Sequence, residues 1–316
     1  MHPSRTIAIL LLASACAGAA HAQDYPTRPI RIVTAAPGGG NDFLARIIAP
    51  GLTSTVGQQV IVDNRAGRLV GGIVARSAPD GYTLAVGGGV MQFLPLTEKV
   101  DYDVLADFAP VSQLERSPNV LVVNPSLKIS TVSELIALAR AKPGALLYGT
   151  GGTGASLHLA GEMFMISTKV KITRVPYKST GPALLGLLSN EVHMVFTTAG
   201  GAMSHIKDGR LKALGVTTAQ PSPVVPGVPT LASQGLRDYD LDTISFILAP
   251  AKTPPPIIKR LNQHIVRLMS QGDVKDRMTA GGSEVVTGTP EQLAAKLKSD
   301  DTRMRKLFKD IGLSLD

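Results

Sequence analysis

Cysteine is nearly absent from this chain. Among 316 residues there is one, Cys16. It lies within an N-terminal stretch that reads as a removable leader, so the rest of the chain carries no thiol. Disulfides, cysteine nucleophiles, Cys-ligated zinc and iron–sulfur clusters are thereby excluded. A domain of this size has core enough to fold without disulfides. Long apolar runs are missing too. Every stretch meets a charge or a proline before reaching the ~20 residues that a bilayer-spanning helix needs. Outside the leader the histidines are His158, His193, His205 and His264, and none has H-x-x-x-H spacing. Ser156 and His158 stand too close in sequence to face each other on a helix as nucleophile and base. There is no G-x-S-x-G elbow. Asp300-Asp301 reads as part of a solvated, charged helix face. No catalytic grouping emerges, and an enzyme is not expected. Nor does a basic stripe interleave with aromatics. The formal charge of +8 is scattered, with a mild concentration over Arg303–Lys309. A nucleic-acid partner is therefore not expected, although a basic surface attracts small anions.

What the chain does contain is the composition of a folded protein. It is 44% hydrophobic and 18% charged, and long enough for one large domain or two medium ones. Its 32 Gly and 22 Pro follow no short repeat and point to many turns. Arg5, the apolar run Ile7–Leu12 and Ala20-His21-Ala22 have the form of a secretory leader cleaved after Ala22. The alternative is lipid attachment at Cys16, for which Ala13 is a poor match to the large aliphatic residue expected there. Either way the protein is exported.

Short apolar runs alternate with helical patterns, which predicts an α/β architecture. The expected strands are Ile30–Thr34, Val60–Val62, Thr83–Val86, Val120–Val123, Ala145–Tyr148, Ile172–Val175, His193–Phe196, Leu211–Val216 and Phe246–Ala249. Thr131-x-x-Glu134 and Thr289-Pro290-x-Gln292 are capping boxes that open helices. Another helix opens at Thr180-Gly181-Pro182, and Ile257, Leu261, Ile265 and Leu268 form a helical stripe. Boundaries are expected near Ser117–Pro125 and between Pro221 and Pro250. The chain then divides into residues 23–120 with 246–316, and residues 121–245.

Glycine-rich turns follow several of these strands. Gly149, Gly151 and Gly154 spell G-x-G-x-x-G. A dinucleotide turn needs an acid ~20 residues further on. Here Ser167-Thr168-Lys169-Val170-Lys171 offers none, so no nucleotide or other cofactor is expected. The physics of the turn remains. Glycines leave backbone N–H groups uncovered, and a following helix adds its positive end, which together suit a carboxylate or phosphate. Pro37-Gly38-Gly39-Gly40-Asn41-Asp42 repeats the design, and Gly87-Gly88-Gly89 ends a third strand. Three such turns at strand ends predict a shared crevice.

Many ordered segments resemble the extracytoplasmic solute receptors of the tripartite tricarboxylate transporters, the Bug family. These are "YPTRPIRIV" at Tyr25–Val33, "VDNRAG" at Val62–Gly67, "APDGYTL" at Ala78–Leu84, "FAPVSQL" at Phe108–Leu114, "NVLVVNPS" at Asn119–Ser126 and the stretch His158–Glu162. "VPYKS" at Val175–Ser179, "HIKDGRLKALGVT" at His205–Thr217 and "GVPTLASQGL" at Gly227–Leu236 continue the likeness. The resemblance implies a two-lobed periplasmic binding protein of type II, each lobe a central sheet flanked by helices. It implies a periplasmic monomer that captures a small organic carboxylate and passes it, unchanged, to membrane transporter subunits. A sensing subunit for a membrane signalling partner, or an exported hydrolase, are the alternative functions.

The Pro37–Asp42 turn is similar to the family loop that holds a carboxylate from one lobe, and Gly149–Ser156 to its counterpart in the other. The ligand-binding residues expected on these grounds are Gly38, Gly39, Gly40, Asn41, Asp42 and Gly88, then Gly152, Thr153, Gly154, Ser156, Tyr177, Thr197 and Thr198. The chain departs from the family pattern at Ala35, where an aromatic is usual, and at Ala155, where Ser or Thr is common. The segment between Asn64 and Ala78 is shorter than usual. Thr197 stands where the family often has Asp, which favours a ligand without an ammonium group, because a desolvated cation needs a partner.

Overall fold

The computed structural model describes residues 25–151, 156–177, 180–237 and 239–312. Among them, ten strands form one sheet, with helices on both faces. In the N-terminal part, β1 (Ile30–Thr34), β2 (Val60–Asn64) and β3 (Thr83–Gly88) are parallel. The helices α1 (Gly40–Val56), α2 (Gly67–Ala75) and α3 (Gly89–Phe93) follow those three strands in turn. In the middle part, β5 (Leu147–Thr150), β6 (Thr173–Pro176) and β7 (Met194–Thr198) are again parallel. Here α5 (Ser156–Thr168), α6 (Thr180–Leu188) and α7 (Ala199–Lys207) follow, and β8 (Lys212–Val216) completes the group. The helix α4 (Val132–Ala141) precedes it.

Two long strands join these parts. β4 (Phe108–Val123) runs through both, and β9 (Asp242–Pro250) returns beside it, antiparallel. The strand order is β2-β1-β3-β9-β4-β7-β5-β6, with β8 and the short β10 (Glu284–Val285) also on β4. The first half of β4 lies between β9 and β10, and the second half between β7 and β8. After β9 come α8 (Pro255–Met269), α9 (Gly272–Ala280) and α10 (Pro290–Asp310). Leu293 and Leu297 of α10 pack into the core of the β1–β3 half. Met304, Leu307 and Phe308, further along the same helix, pack into the core of the β5–β7 half.

Local sequence accounts for most of these elements. Thr131 and Thr289 form complete capping boxes with Glu134 and Gln292. The stripe on α8 is buried at Ile257, Leu261, Ile265 and Leu268. The expected strands all occur, with ends displaced by a few residues. The two crossing strands are exceptions. β4 begins at Phe108 rather than Val120, and β9 at Asp242 rather than Phe246. Pro110, Pro118 and the polar residues between them conceal β4. Register shifts fall at Pro110/Ser112 and Gln113/Glu115, where irregular pairing tolerates what a regular ladder would not. β10, only two residues long, has no apolar run to announce it.

The first glycine turn is held closed by Asp42. Its carboxylate accepts hydrogen bonds from the Gly38 N–H at 2.9 Å, Arg46 Nε at 3.0 Å and Asn64 Nδ2 at 2.8 Å. Asn64 Nδ2 also donates to the Ala35 carbonyl at 2.7 Å, so the end of β2 fastens both sides of the turn. Gly38 has φ +84, the left-handed region that a side chain would strain. Among the described residues no helix is long and apolar enough to cross a membrane.

Two consequences are testable. Hydrogen bonding from Arg46, then Gly38 and Asn64, lowers the Asp42 pKa from 3.8 to about 2. A depressed carboxylate pKa stabilises the fold above its unfolded value, and that stability fades as pH falls through the folded one. Urea unfolding should therefore show Asp42→Asn with a shallower loss of stability between about pH 4 and pH 2 than the parent. Phe196 is fully buried on β7, its ring 6.1 Å from that of Phe164. Phe196→Ala should cost about 3–5 kcal/mol in the same assay.

Candidate functional site

A cavity of about 410 Å³ lies where the crossing strands meet the glycine turns. Its first wall is the turn after β1 and the N-terminus of α1. Ala35, Gly39, Gly40 and Asn41 line it. No side chain caps this helix start. The leading amides of a 17-residue helix therefore have no intrahelical acceptor, and the positive end of its dipole lies at the cavity.

The second wall is the end of β3, at Gly88, Gly89 and Val90. Crowding favours glycine at position 88. A Cβ there would lie 3.0 Å from the Ile244 carbonyl oxygen and 3.3 Å from Asn41 Oδ1. From the opposite half come Ser156, the first residue of α5, and Thr198, which precedes α7. The floor is the crossing itself, with Glu115 and Ser117 on β4 and Thr243, Ile244 and Ser245 on β9. Gly281 and Ser283, just before β10, complete the lining.

The sequence-derived residues separate on this geometry. Gly39, Gly40, Asn41, Gly88, Ser156 and Thr198 come together around one cavity. Gly38 and Asp42 stand behind it, and the Asp42 carboxylate is turned inward on its three donors. Thr197 is paired with Val120 inside the sheet and is 1% exposed. Tyr177 packs against Gly149 and Gly186, and its hydroxyl meets Glu191 at 3.2 Å. Gly152, Thr153, Gly154 and Ala155 lie outside the described residues. Gly149, the first glycine of the G-x-G-x-x-G run, has a packing role. A Cβ there would press on Val192, Tyr177 and Ala183 at 3.1–3.3 Å.

Five polar lining residues escaped the sequence reading: Glu115, Ser117, Thr243, Ser245 and Ser283. Four of them sit on β4 and β9 in parts read as connections. One signal was present, since Glu115 and Ser117 are two apart and so share a face once the segment is a strand. These groups are linked. Ser245 Oγ donates to Glu115 Oε1 at 2.8 Å and lies 3.1 Å from Asn41 Oδ1. Ser156 Oγ and Thr243 Oγ1 are 3.1 Å apart, and Thr243 Oγ1 in turn donates to Asn119 at 3.3 Å. Burial raises the pKa of Glu115, and hydrogen bonds from Ser283 and Ser245 partly oppose the rise.

Among the described residues the arrangement offers backbone donors, hydroxyls and one carboxylate, with no nucleophile–base pair. Among the described residues no group of three His, Asp or Glu side chains is placed to hold a metal. His158 is buried and its Nε2 lies 3.3 Å from Glu162, which also accepts from the Tyr148 hydroxyl at 2.5 Å. That contact serves the packing of α5 on β5. A larger surface hollow of about 570 Å³, near Ala109, Pro255 and Pro290, is away from the glycine turns.

Comparison with known proteins gives this geometry its context. The family model described as "Tripartite tricarboxylate transporter family receptor" matches residues 44–313. Protein BugT of Bordetella pertussis is 35% identical over 327 residues, covering 100% of both chains. The solved structure "R. palustris Rpa4515 with adipate" has TM-score 0.78 and 32% identity, covering 92% of this chain and 99% of its own. MatC from Rhodopseudomonas palustris with bound malate has TM-score 0.75 and 29% identity, covering 90% and 99%. The likeness to those structures supports the two-lobed binding-protein fold, a curled mixed α/β sheet with flanking helices. This chain belongs to the tripartite tricarboxylate transporter receptor family, a family of solute receptors rather than enzymes.

Proposed function

We propose that this protein is a periplasmic receptor that captures a small organic carboxylate between two lobes. It hands the ligand, chemically unchanged, to the membrane subunits of a tripartite tricarboxylate-type transporter. The lobes are residues 23–120 with 246–316, and residues 121–245. The leader ends at Ala22, and the mature receptor acts as a monomer. One observation carries the reading: the uncapped start of α1 opens into a cavity also lined from the opposite half by Ser156 and Thr198. A helix start of this kind binds carboxylates as it binds phosphates. The cavity volume is within the range of small-molecule sites. The adipate and malate held by the two structural relatives are both small carboxylates.

In this reading the carboxylate sits against the amides of Gly39, Gly40 and Asn41, with Gly88 behind it. Ser156 and Thr198 close from the far side. Gly38 and Asp42 hold the first turn in shape from behind. Closure depends on small residues. Gly200 at the start of α7 lies against Gly281 and Gly282, and a Cβ on Gly200 would overlap the Gly281 carbonyl.

Thermal melting with a panel of mono-, di- and tricarboxylic acids is the direct test. A bound acid raises the melting temperature, and at a hundredfold excess over Kd it adds about 2.7 kcal/mol. No shift with any acid would overturn the proposal. Gly200→Ala should weaken binding about tenfold or more by calorimetry, equivalent to about 1.4 kcal/mol. It does so by propping the lobes apart at the Gly281 carbonyl, on the rim of the cavity, away from the amides of the first glycine turn. Unchanged affinity would show that closure at this contact plays no part.

A further inference from the structure

Glu115 is a buried carboxylate in the middle of a cavity proposed to receive a carboxylate. It is 7% exposed, and it is the only ionisable side chain among the described lining residues. Strand pairing fixes its place, with Ser245 of β9 opposite it on one side and Val285 of β10 on the other. Both of its hydroxyl partners, Ser245 and Ser283, can donate to it. Among the described residues no cation is paired with it. The neighbouring Arg116 projects to the other side of the strand and is paired with Glu284 at 2.7 Å. Lys296 of α10 is committed to Asp300 at 3.0 Å and Asp242 at 3.5 Å. A buried charge without a counterion is costly, and the cost falls when a ligand supplies one.

The position of Glu115 says what that ligand is. Ser245 Oγ touches both Glu115, at 2.8 Å, and Asn41 of the proposed carboxylate-binding turn, at 3.1 Å. One hydroxyl therefore separates a site for negative charge from a negative side chain. A ligand fits both when it carries a carboxylate and, a bond or two away, a cationic donor. Thr197 gave the opposite expectation, but its side chain is enclosed in the sheet and does not line the cavity. An acid missing at Thr197 leaves the cavity with its acid at Glu115.

We propose that Glu115 is a specificity-determining residue that pairs with the ammonium group of the ligand, and that this receptor takes amino carboxylates in preference to the same acids without an amine. The inference rests on the carboxylate reading above and narrows it. Glu115 selects in two ways. It attracts a zwitterion, and it repels a second carboxylate that would approach the same spot.

The test is calorimetry at pH 7 on matched pairs: alanine with propionate, aspartate with succinate, and glutamate with glutarate. The expected result is that the amine-bearing member of at least one pair binds tenfold or more tightly than its partner. In Glu115→Gln that ratio should fall to about threefold or less, through weaker amino-acid binding and stronger diacid binding. The wild-type comparison stands even if the variant folds poorly. Tighter binding of the amine-free acids by the wild type would overturn the inference while leaving the carboxylate reading intact, with a protonated Glu115 donating to the ligand as the explanation. An amine preference unaltered in a folded Glu115→Gln would overturn the role of this residue. Binding of no member of any pair would overturn the carboxylate reading for these acids and this inference with it.

Discussion

The antiparallel ladder between β4 and β9 is the constraint on which the rest of the molecule depends. Residues 108–118 of β4 pair with residues 250–242 of β9. Both strands cross from one half of the sheet toward the other, so the halves share backbone hydrogen bonds instead of hanging on a loose linker. The cavity forms where this ladder ends, because both parallel groups direct their glycine-bearing strand ends there. The shared strands also decide which side chains line the floor, since alternate residues on β4 face the same way.

At the crossing, the chain resolves a problem of buried polar groups. Asn119 is fully buried. Its backbone carbonyl accepts from the Thr217 N–H at 2.9 Å, its side-chain amide donates to Leu241 O at 3.2 Å, and its Oδ1 accepts from Thr243 at 3.3 Å. Thr217 Oγ1 also donates to the Leu241 carbonyl. Unsatisfied groups at this depth would cost more than the bonds they form, so the network holds the three crossing segments in one register. Helix α10 spans the same junction from outside. Its apolar side chains enter both cores, and Lys296 and Arg303 tie Asp300 to Asp242 and Asp240 of the returning chain. Burial raises the Asp242 pKa first, with Asp240 and Asp300 adding to the rise and Lys296 opposing it. The junction is thus polar but internally compensated, whereas Glu115 beside it is not. That contrast is the physical ground for assigning Glu115 a role toward a ligand.

The division of labour within the first glycine turn follows the same logic. Asp42 is an acid at the start of a helix, where the dipole favours a negative charge. It does not face the cavity, because Gly38, Arg46 and Asn64 consume its lone pairs. Its work is to hold the turn so that neighbouring amides stay uncovered. A residue type suited to an ionic contact here serves shape.

Hydrophobic periodicity in the sequence by itself determined the strand–helix alternation, the two capping boxes and the apolar stripe of α8. These are local effects, decided by residues within one or two turns of each other. The glycine turns after β1 and at the end of β3 were legible for the same reason, because glycine supplies the backbone freedom that a tight strand-to-helix turn needs. Tertiary structure alone decided the rest. It extended β4 through Pro110 and Pro118, where pairing with β9 outweighs poor strand propensity. It turned Asp42 and Thr197 away from the cavity and brought Glu115, Ser117, Thr243, Ser245 and Ser283 into it. Glu115 and Ser245 are 130 residues apart in sequence, and only the closing of one strand against another puts them within a hydrogen bond of each other.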